Sequence, residues 1–157
     1  MSTIGGCHCG NISYRMGWEP AEALDGGVAA RECSCSFCKM VGAAWTSCTA
    51  GSLAILIKDE QLTNRYQQGT LTADFLLCRH CGVCPTALSS IDGNLYAVVN
   101  VNTFKQWKDQ QGVDAPGPLI WRTPLAIDNE PVDSRLERRK RNWIGKVTIN
   151  QMIQWKW

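Results

Sequence analysis

Cys7-His8-Cys9-Gly10, Cys33-Ser34-Cys35-Ser36-Phe37-Cys38 and Cys78-Arg79-His80-Cys81-Gly82 hold seven of the nine cysteines of this 157-residue chain. Closely spaced thiols can turn toward one ion, whereas a disulfide demands a particular Cα separation and Cβ direction. The clusters therefore read as metal ligands, and zinc is the ion they fit. Four thiolates close a tetrahedral zinc site, while three leave a position open to water or substrate. Seven clustered cysteines divide into four plus three: one closed, structural site and one open site able to do chemistry.

Working outward, the first and third clusters each end in glycine, Gly10 and Gly82. A glycine there lets the chain turn with positive φ and aim backbone N–H groups at a sulfur. Cys7, Cys9, Cys78 and Cys81 thus read as two halves of one structural site. The halves lie about 70 residues apart, so a shared ion would staple distant strands much as a crosslink closes a long loop. The middle cluster, Cys33, Cys35 and Cys38, has three ligands and no neighbouring fourth. The competing reading is that all seven serve folding, with a fourth ligand from Cys48, Cys84 or a histidine. Cys84, followed by Pro85, reads as a buried packing residue, and Cys48 as a strand residue. His8 and His80 read as exposed side chains between inward-facing ligands, or as proton carriers.

Composition narrows the class. Hydrophobic residues make up 45% and charged residues 19%, within the globular range. A net charge of +2 demands neither a nucleic-acid nor a membrane partner. The N-terminal Met1-Ser2-Thr3-Ile4-Gly5-Gly6 has no basic-then-apolar leader pattern. The longest apolar run, Leu53 to Ile57, is far short of a membrane span. The expectation is one domain over residues 1–157, cytoplasmic, with reduced thiols. An odd cysteine total fits no complete disulfide framework.

The apolar pattern is that of a mainly β chain. Ile12, Tyr14 and Met16 alternate within residues 10–18 and predict a strand. Residues 43–50, 53–58, 74–77 and 95–101 read as further strands, the last after the turn signal Asp92-Gly93-Asn94. Thr103 to Gln111 reads as a short helix with Phe104 and Trp107 on one face. Pro116-Gly117-Pro118 reads as a loop, residues 134–142 as helical or exposed, and Trp143 to Trp157 as adding a terminal strand, with Trp155 and Trp157 capping a core. Arg135, Arg138, Arg139, Lys140, Arg141 and Lys146 crowd one stretch opposed only by Glu137. They suit phosphates or substrate carboxylates, or simply a solvated helix face, and Trp143 beside them permits stacking.

These clusters resemble a known family. Gly6 to Tyr14, Cys33 to Cys38 with Gly42-Ala43 after it, and Phe75 to Gly82 are similar to the three signatures of the glutathione-dependent formaldehyde-activating enzymes, a family that includes centromere protein V. Tyr66-Gln67-Gln68-Gly69 and Val99-Asn100-Val101-Asn102 fit the same layout. The resemblance covers about residues 5–125 and leaves a basic C-terminal extension, 126–157. It implies a β-tent fold of small antiparallel sheets stapled by zinc. It also implies a structural zinc on Cys7, Cys9, Cys78 and Cys81 and a catalytic zinc on Cys33, Cys35 and Cys38. The chain departs from the pattern after Gly82, where Val83-Cys84-Pro85-Thr86-Ala87-Leu88 replaces a segment that is often aromatic.

The function this implies is zinc-dependent carbon–sulfur lysis of a thiol adduct, with glutathione and a small aldehyde such as formaldehyde as partners. Two other readings are a non-catalytic zinc-stapled module that binds or carries a thiol or anionic partner, and a methionine-sulfoxide reductase, which shares the β-tent. The reductase needs a nucleophilic cysteine outside the knuckles, and only Cys48 and Cys84 are available.

Overall fold

Strand β2 (Ile12–Gly17) buries every second residue, and β5 (Ser52–Ile57) does the same. The two pair antiparallel with Ile12 opposite Ile57, Tyr14 opposite Ile55 and Met16 opposite Leu53. These cross-strand pairs form one face of the main core, which Leu76, Leu88, Val99 and Ile144 complete. The period-2 pattern dictates this, because successive side chains of a strand point to opposite faces. The computed structural model of the chain describes residues 1–19, 26–127 and 129–150.

Around this pair runs a six-stranded sheet with β1 (Ser2–Gly6), β10 (Phe104–Lys108), β11 (Asp114–Ala115) and β13 (Lys146–Ile149), in the order β11-β10-β1-β2-β5-β13. The second sheet has seven strands: β3 (Val28–Cys33), β4 (Trp45–Thr46), β6 (Thr63–Tyr66), β7 (Asp74–Cys78), β8 (Thr86–Ile91), β9 (Asn94–Asn100) and β12 (Ile120–Leu125). Its order is β12-β3-β4-β9-β8-β7-β6. The expected mainly β architecture is observed. The sheets are mixed rather than purely antiparallel, because β13 pairs parallel to β5 and β12 parallel to β3. The second parallel pair sets Leu125 opposite Cys33, so the chain leaves β12 beside the middle cysteine cluster. Pro124 is tolerated in β12 because that strand is a sheet edge, where a missing N–H breaks no ladder.

Two short helices complete the fold. Helix α1 (Ser36–Met40) sits inside the middle cluster, and α2 (Val132–Asn142) follows Pro131. Asp133 lies in the first turn of α2 and Arg139, Lys140 and Arg141 in the last, which complements the helix dipole. Among the described residues no helix is long and apolar enough to cross a membrane.

Two expectations change. Thr103 to Gln111 is not a helix: a 3-10 turn, Val101–Thr103, runs into β10. Phe104 and Trp107 share a face because the β1–β10 register shifts between Ile4 and Gly5, leaving Lys105 unmatched. Such a bulge inserts one residue and turns a two-residue period into a three-residue one. Both rings pack on Trp18, with centroids 6.5 Å and 5.7 Å away. The strand predicted over 43–50 shrinks to Trp45–Thr46, because the flanking segments make their hydrogen bonds elsewhere, as in Ala43 N–H to Cys38 and Gly51 N–H to Cys48. A terminal strand exists as β13; Trp155 and Trp157 lie outside the described residues.

The sheets meet where the first and third clusters lie. Asn11, 6% exposed, ties that junction. Its amide donates to Asp59 O at 3.1 Å and Thr63 Oγ1 at 3.2 Å, and accepts from Asp59 N–H at 3.0 Å. Three hydrogen bonds at about 1 kcal/mol net each set the expectation that Asn11→Ala lowers stability by about 2–3 kcal/mol. The urea midpoint should drop accordingly while metal content per folded chain stays unchanged.

Candidate metal centres and an arginine-walled pocket

Cys7 and Cys9 follow β1 in the turn to β2, and Cys78 and Cys81 lie at the end of β7 and the turn beyond it. Two turns from two sheets thus face each other. All four Sγ atoms lie within 4.8 Å of one another, with Cys7–Cys9 at 3.7 Å and Cys9–Cys78 at 3.4 Å. Sulfurs about 2.3 Å from a tetrahedral zinc ion lie about 3.8 Å apart, so the set matches a four-thiolate site. Gly10 and Gly82 have φ of +80° and +76°, the left-handed turn their knuckles require. Each donates its N–H back to the first cysteine of its turn, Gly10 to Cys7 O and Gly82 to Cys78 O.

Backbone N–H groups converge on these sulfurs. Ile12 N–H reaches Cys7 Sγ at 3.2 Å. Burial nevertheless pushes the Cys7 thiol up to about 12, and Cys78 is raised for the same reason. Cys81 moves the other way: its burial is outweighed by N–H groups of Cys9 and Val83, which bring it down to about 6. Burial therefore favours the protonated form of the Cys7 and Cys78 sulfurs. A bound cation must displace those protons, so metal uptake releases them.

The second set is local. Cys33 ends β3, Cys35 is the N-cap of α1, and Cys38 is its buried residue. Their sulfurs also lie within 4.8 Å of one another. Cys38 N–H reaches Cys35 Sγ at 3.4 Å, and the Trp45 indole N–H reaches Cys38 Sγ at 3.3 Å. The Cys38 thiol is raised by its hydrogen bond to Cys33 and then by burial. None of the nine cysteines forms a disulfide. Three crowded sulfurs with N–H donors on two of them fit a soft divalent ion, which would replace the shared protons.

These three cysteines line a cavity of about 80 Å³. Trp45, Phe75, Ala87 and Val98 form its apolar side, with Gln68 at 3.7 Å from Cys35 Sγ. Helix α2 lines the cavity through Arg135, Arg138 and Arg139, Trp143 follows at its C-cap, and β3 adds Arg31. The basic stretch is therefore only half a solvated face. Arg141 is exposed, while Arg139 is 6% exposed and stacks over Trp143 at 4.9 Å.

The remaining candidates fall elsewhere. Cys48 is buried in the main core and donates to Glu19 O. Cys84 packs beside Cys38, Ala87 and Val98, and burial pushes its thiol up to about 12. Neither belongs to the two sulfur sets; both are buried, and a thiol as hard to ionise as that of Cys84 is poorly suited to nucleophilic attack. His8 and His80 are exposed at the four-cysteine turns and are not among the residues lining the pocket. Arg31, Gln68 and Trp45 carried no role in the sequence reading. Arg31 had a signal: it stands two residues before Cys33 on a strand and so shares its face.

The fold and the two sulfur sets define a β-rich protein able to hold metal ions in two centres, one between its sheets and one on a pocket. Residues 2–119 match the family described as glutathione-dependent formaldehyde-activating enzyme. The chain belongs to that family. No curated protein matches the chain. It is similar to the crystal structure of a Rhodobacter sphaeroides protein determined as a structural genomics target. The two are 26% identical with a TM-score of 0.50, over 75% of this chain and 98% of that one. Helix α2 lies beyond the matched residues.

Proposed function

We propose that the chain is a zinc-dependent carbon–sulfur lyase acting on the thiol adduct of a small aldehyde, with glutathione and formaldehyde as the pair the family suggests. The observation that carries this reading is the three-sulfur set, Cys33, Cys35 and Cys38, on the wall of a pocket. In this reading Cys7, Cys9, Cys78 and Cys81 hold a structural zinc and Cys33, Cys35 and Cys38 a catalytic one. A zinc ion on three thiolates supplies a Lewis-acidic, exchangeable position that favours the thiolate form of a bound thiol.

The chain's own residues do the rest. Trp45 and Phe75 give the cavity an apolar lining beside the sulfurs. Trp45 Nε1 and Cys38 N–H hold two cysteine sulfurs in place, and Gln68 adds a further donor at Cys35. In the lytic direction the carbon–sulfur bond of the hydroxymethyl thioether breaks. The electron pair goes to sulfur, the hydroxyl proton leaves, and formaldehyde is released. Holding the adduct in one orientation makes both directions effectively unimolecular at the site.

Exchange between free glutathione and its formaldehyde adduct, read from NMR line shape, tests the proposal. The zinc-loaded chain is expected to broaden the adduct's methylene resonance beyond the buffer rate. Brief exposure to a chelator should abolish this while the fold persists, because a three-ligand site with an exchangeable fourth position loses metal before a closed one. Binding of glutathione with no acceleration would replace the lyase by the carrier reading.

A further inference from the structure

Arg31, Arg135, Arg138 and Arg139 line one pocket. The acidic group that meets this cluster among the described residues is Glu130. It takes the fork of Arg138 at 2.8–3.1 Å and lies 3.9 Å from Arg135. Arg139 is different. It is 6% exposed, and among the described residues its Nη1 donates to neutral oxygens, Thr72 O, Thr72 Oγ1 and Ser89 Oγ. Its Nε has no hydrogen-bond partner among the described residues. Arg31 is half-buried and donates to Ser47 Oγ at 2.7 Å. Its charge is felt by Arg138.

Burial brings Arg139 down to about 10, and the neighbouring charges of Arg135 and Arg138 add to the effect. Like charges gathered in a buried place are costly to assemble. A fold that lines one pocket both with them and with three cysteines offers a seat for an anion. Planar guanidinium forks match a carboxylate bidentately.

We infer that this arginine lining is a carboxylate subsite, in which Arg139 and Arg31, backed by Arg138, hold the carboxylate of a thiol whose sulfur lies at Cys33, Cys35 and Cys38. The inference rests on the lyase reading for where the sulfur goes. It adds a substrate class: thiols that carry an acid, in preference to neutral ones. The subsite comes largely from α2, beyond the family-matched residues.

Binding of glutathione and of glutathione diethyl ester to the zinc-loaded chain, followed by tryptophan fluorescence and calorimetry, tests this. The ester keeps the thiol and loses both carboxylates. Glutathione is expected to bind at least about tenfold more tightly, the scale of a charged hydrogen bond. Arg139→Gln should erase that preference while leaving the ester's affinity unchanged. Because Arg139 is buried, Arg31→Gln serves as a second variant, with a smaller loss in the same direction. Equal affinities in the wild type, or binding of neither compound, overturn the subsite. Exchange measured on the same samples separates the two readings. Equal acceleration for both compounds keeps the lyase and removes the subsite. Carboxylate-dependent binding without acceleration keeps the subsite and removes the lyase.

Discussion

Cys78→Ser is expected to abolish the folded state. Cys78 ends β7 in the seven-stranded sheet, and its sulfur lies 3.4 Å from that of Cys9, in the turn between β1 and β2 of the other sheet. The contact closes a loop of 69 residues. In the reading argued above, one ion holds both turns, and its binding free energy is folding free energy, on the order of 10 kcal/mol. A domain's whole stability is about 5–15 kcal/mol, so no other single contact here has comparable weight. Serine offers a harder, less acidic ligand in a buried place. Cys7→Ser should act alike, since Cys7 is fully buried and accepts the Ile12 N–H. Circular dichroism, solubility and zinc content of the variants check this. A soluble Cys78→Ser chain with an unchanged melting temperature contradicts the structural assignment.

Cys35→Ser should have the complementary effect: loss of accelerated thiol-adduct exchange with the fold retained. Cys33, Cys35 and Cys38 span one strand end and one short helix, so their ion joins no distant segments. The substitution is also locally mild. Cys35 is the N-cap of α1, its side chain accepting Cys38 N–H, and serine is among the preferred N-cap residues. The helix start survives while the soft ligand is lost. The expected result is exchange at the buffer rate, about one equivalent less zinc, and a melting temperature within a few degrees of wild type. Exchange as fast as in the wild type would show that the middle cluster is not catalytic.

Much of this was legible in the primary structure. Ligand type, spacing and the trailing glycines of the two turns anticipated the two sulfur sets residue for residue, because such turns are local and their chemistry is written within a few positions. The alternation of β2 and the β-branched, aromatic run of β9 were legible for the same reason. The segment around Phe104 and Trp107 was not. Its three-residue spacing comes from a bulge opposite Ile4 and Gly5, and a bulge is decided by the partner strand. Strands β3, β6, β8 and β12 were also missed, since their pairing, not their own pattern, makes them strands.

What the chain by itself determined was the chemistry available: four thiols able to close a site, three able to leave one open, and a basic stretch at 135–146. The spacing of Arg135, Arg138 and Arg139 even placed them on one helix face. Which surface that face meets was decided only by tertiary structure. The parallel pairing of β12 with β3 delivers the chain beside Cys33, and α2 then packs back to wall the pocket. Separation in sequence hides such a meeting, because it depends on long-range contacts among elements that do not adjoin in the chain. The same holds for Arg139, whose burial between Thr72, Ser89 and Trp143 turns a nominal surface charge into a candidate ligand-binding group.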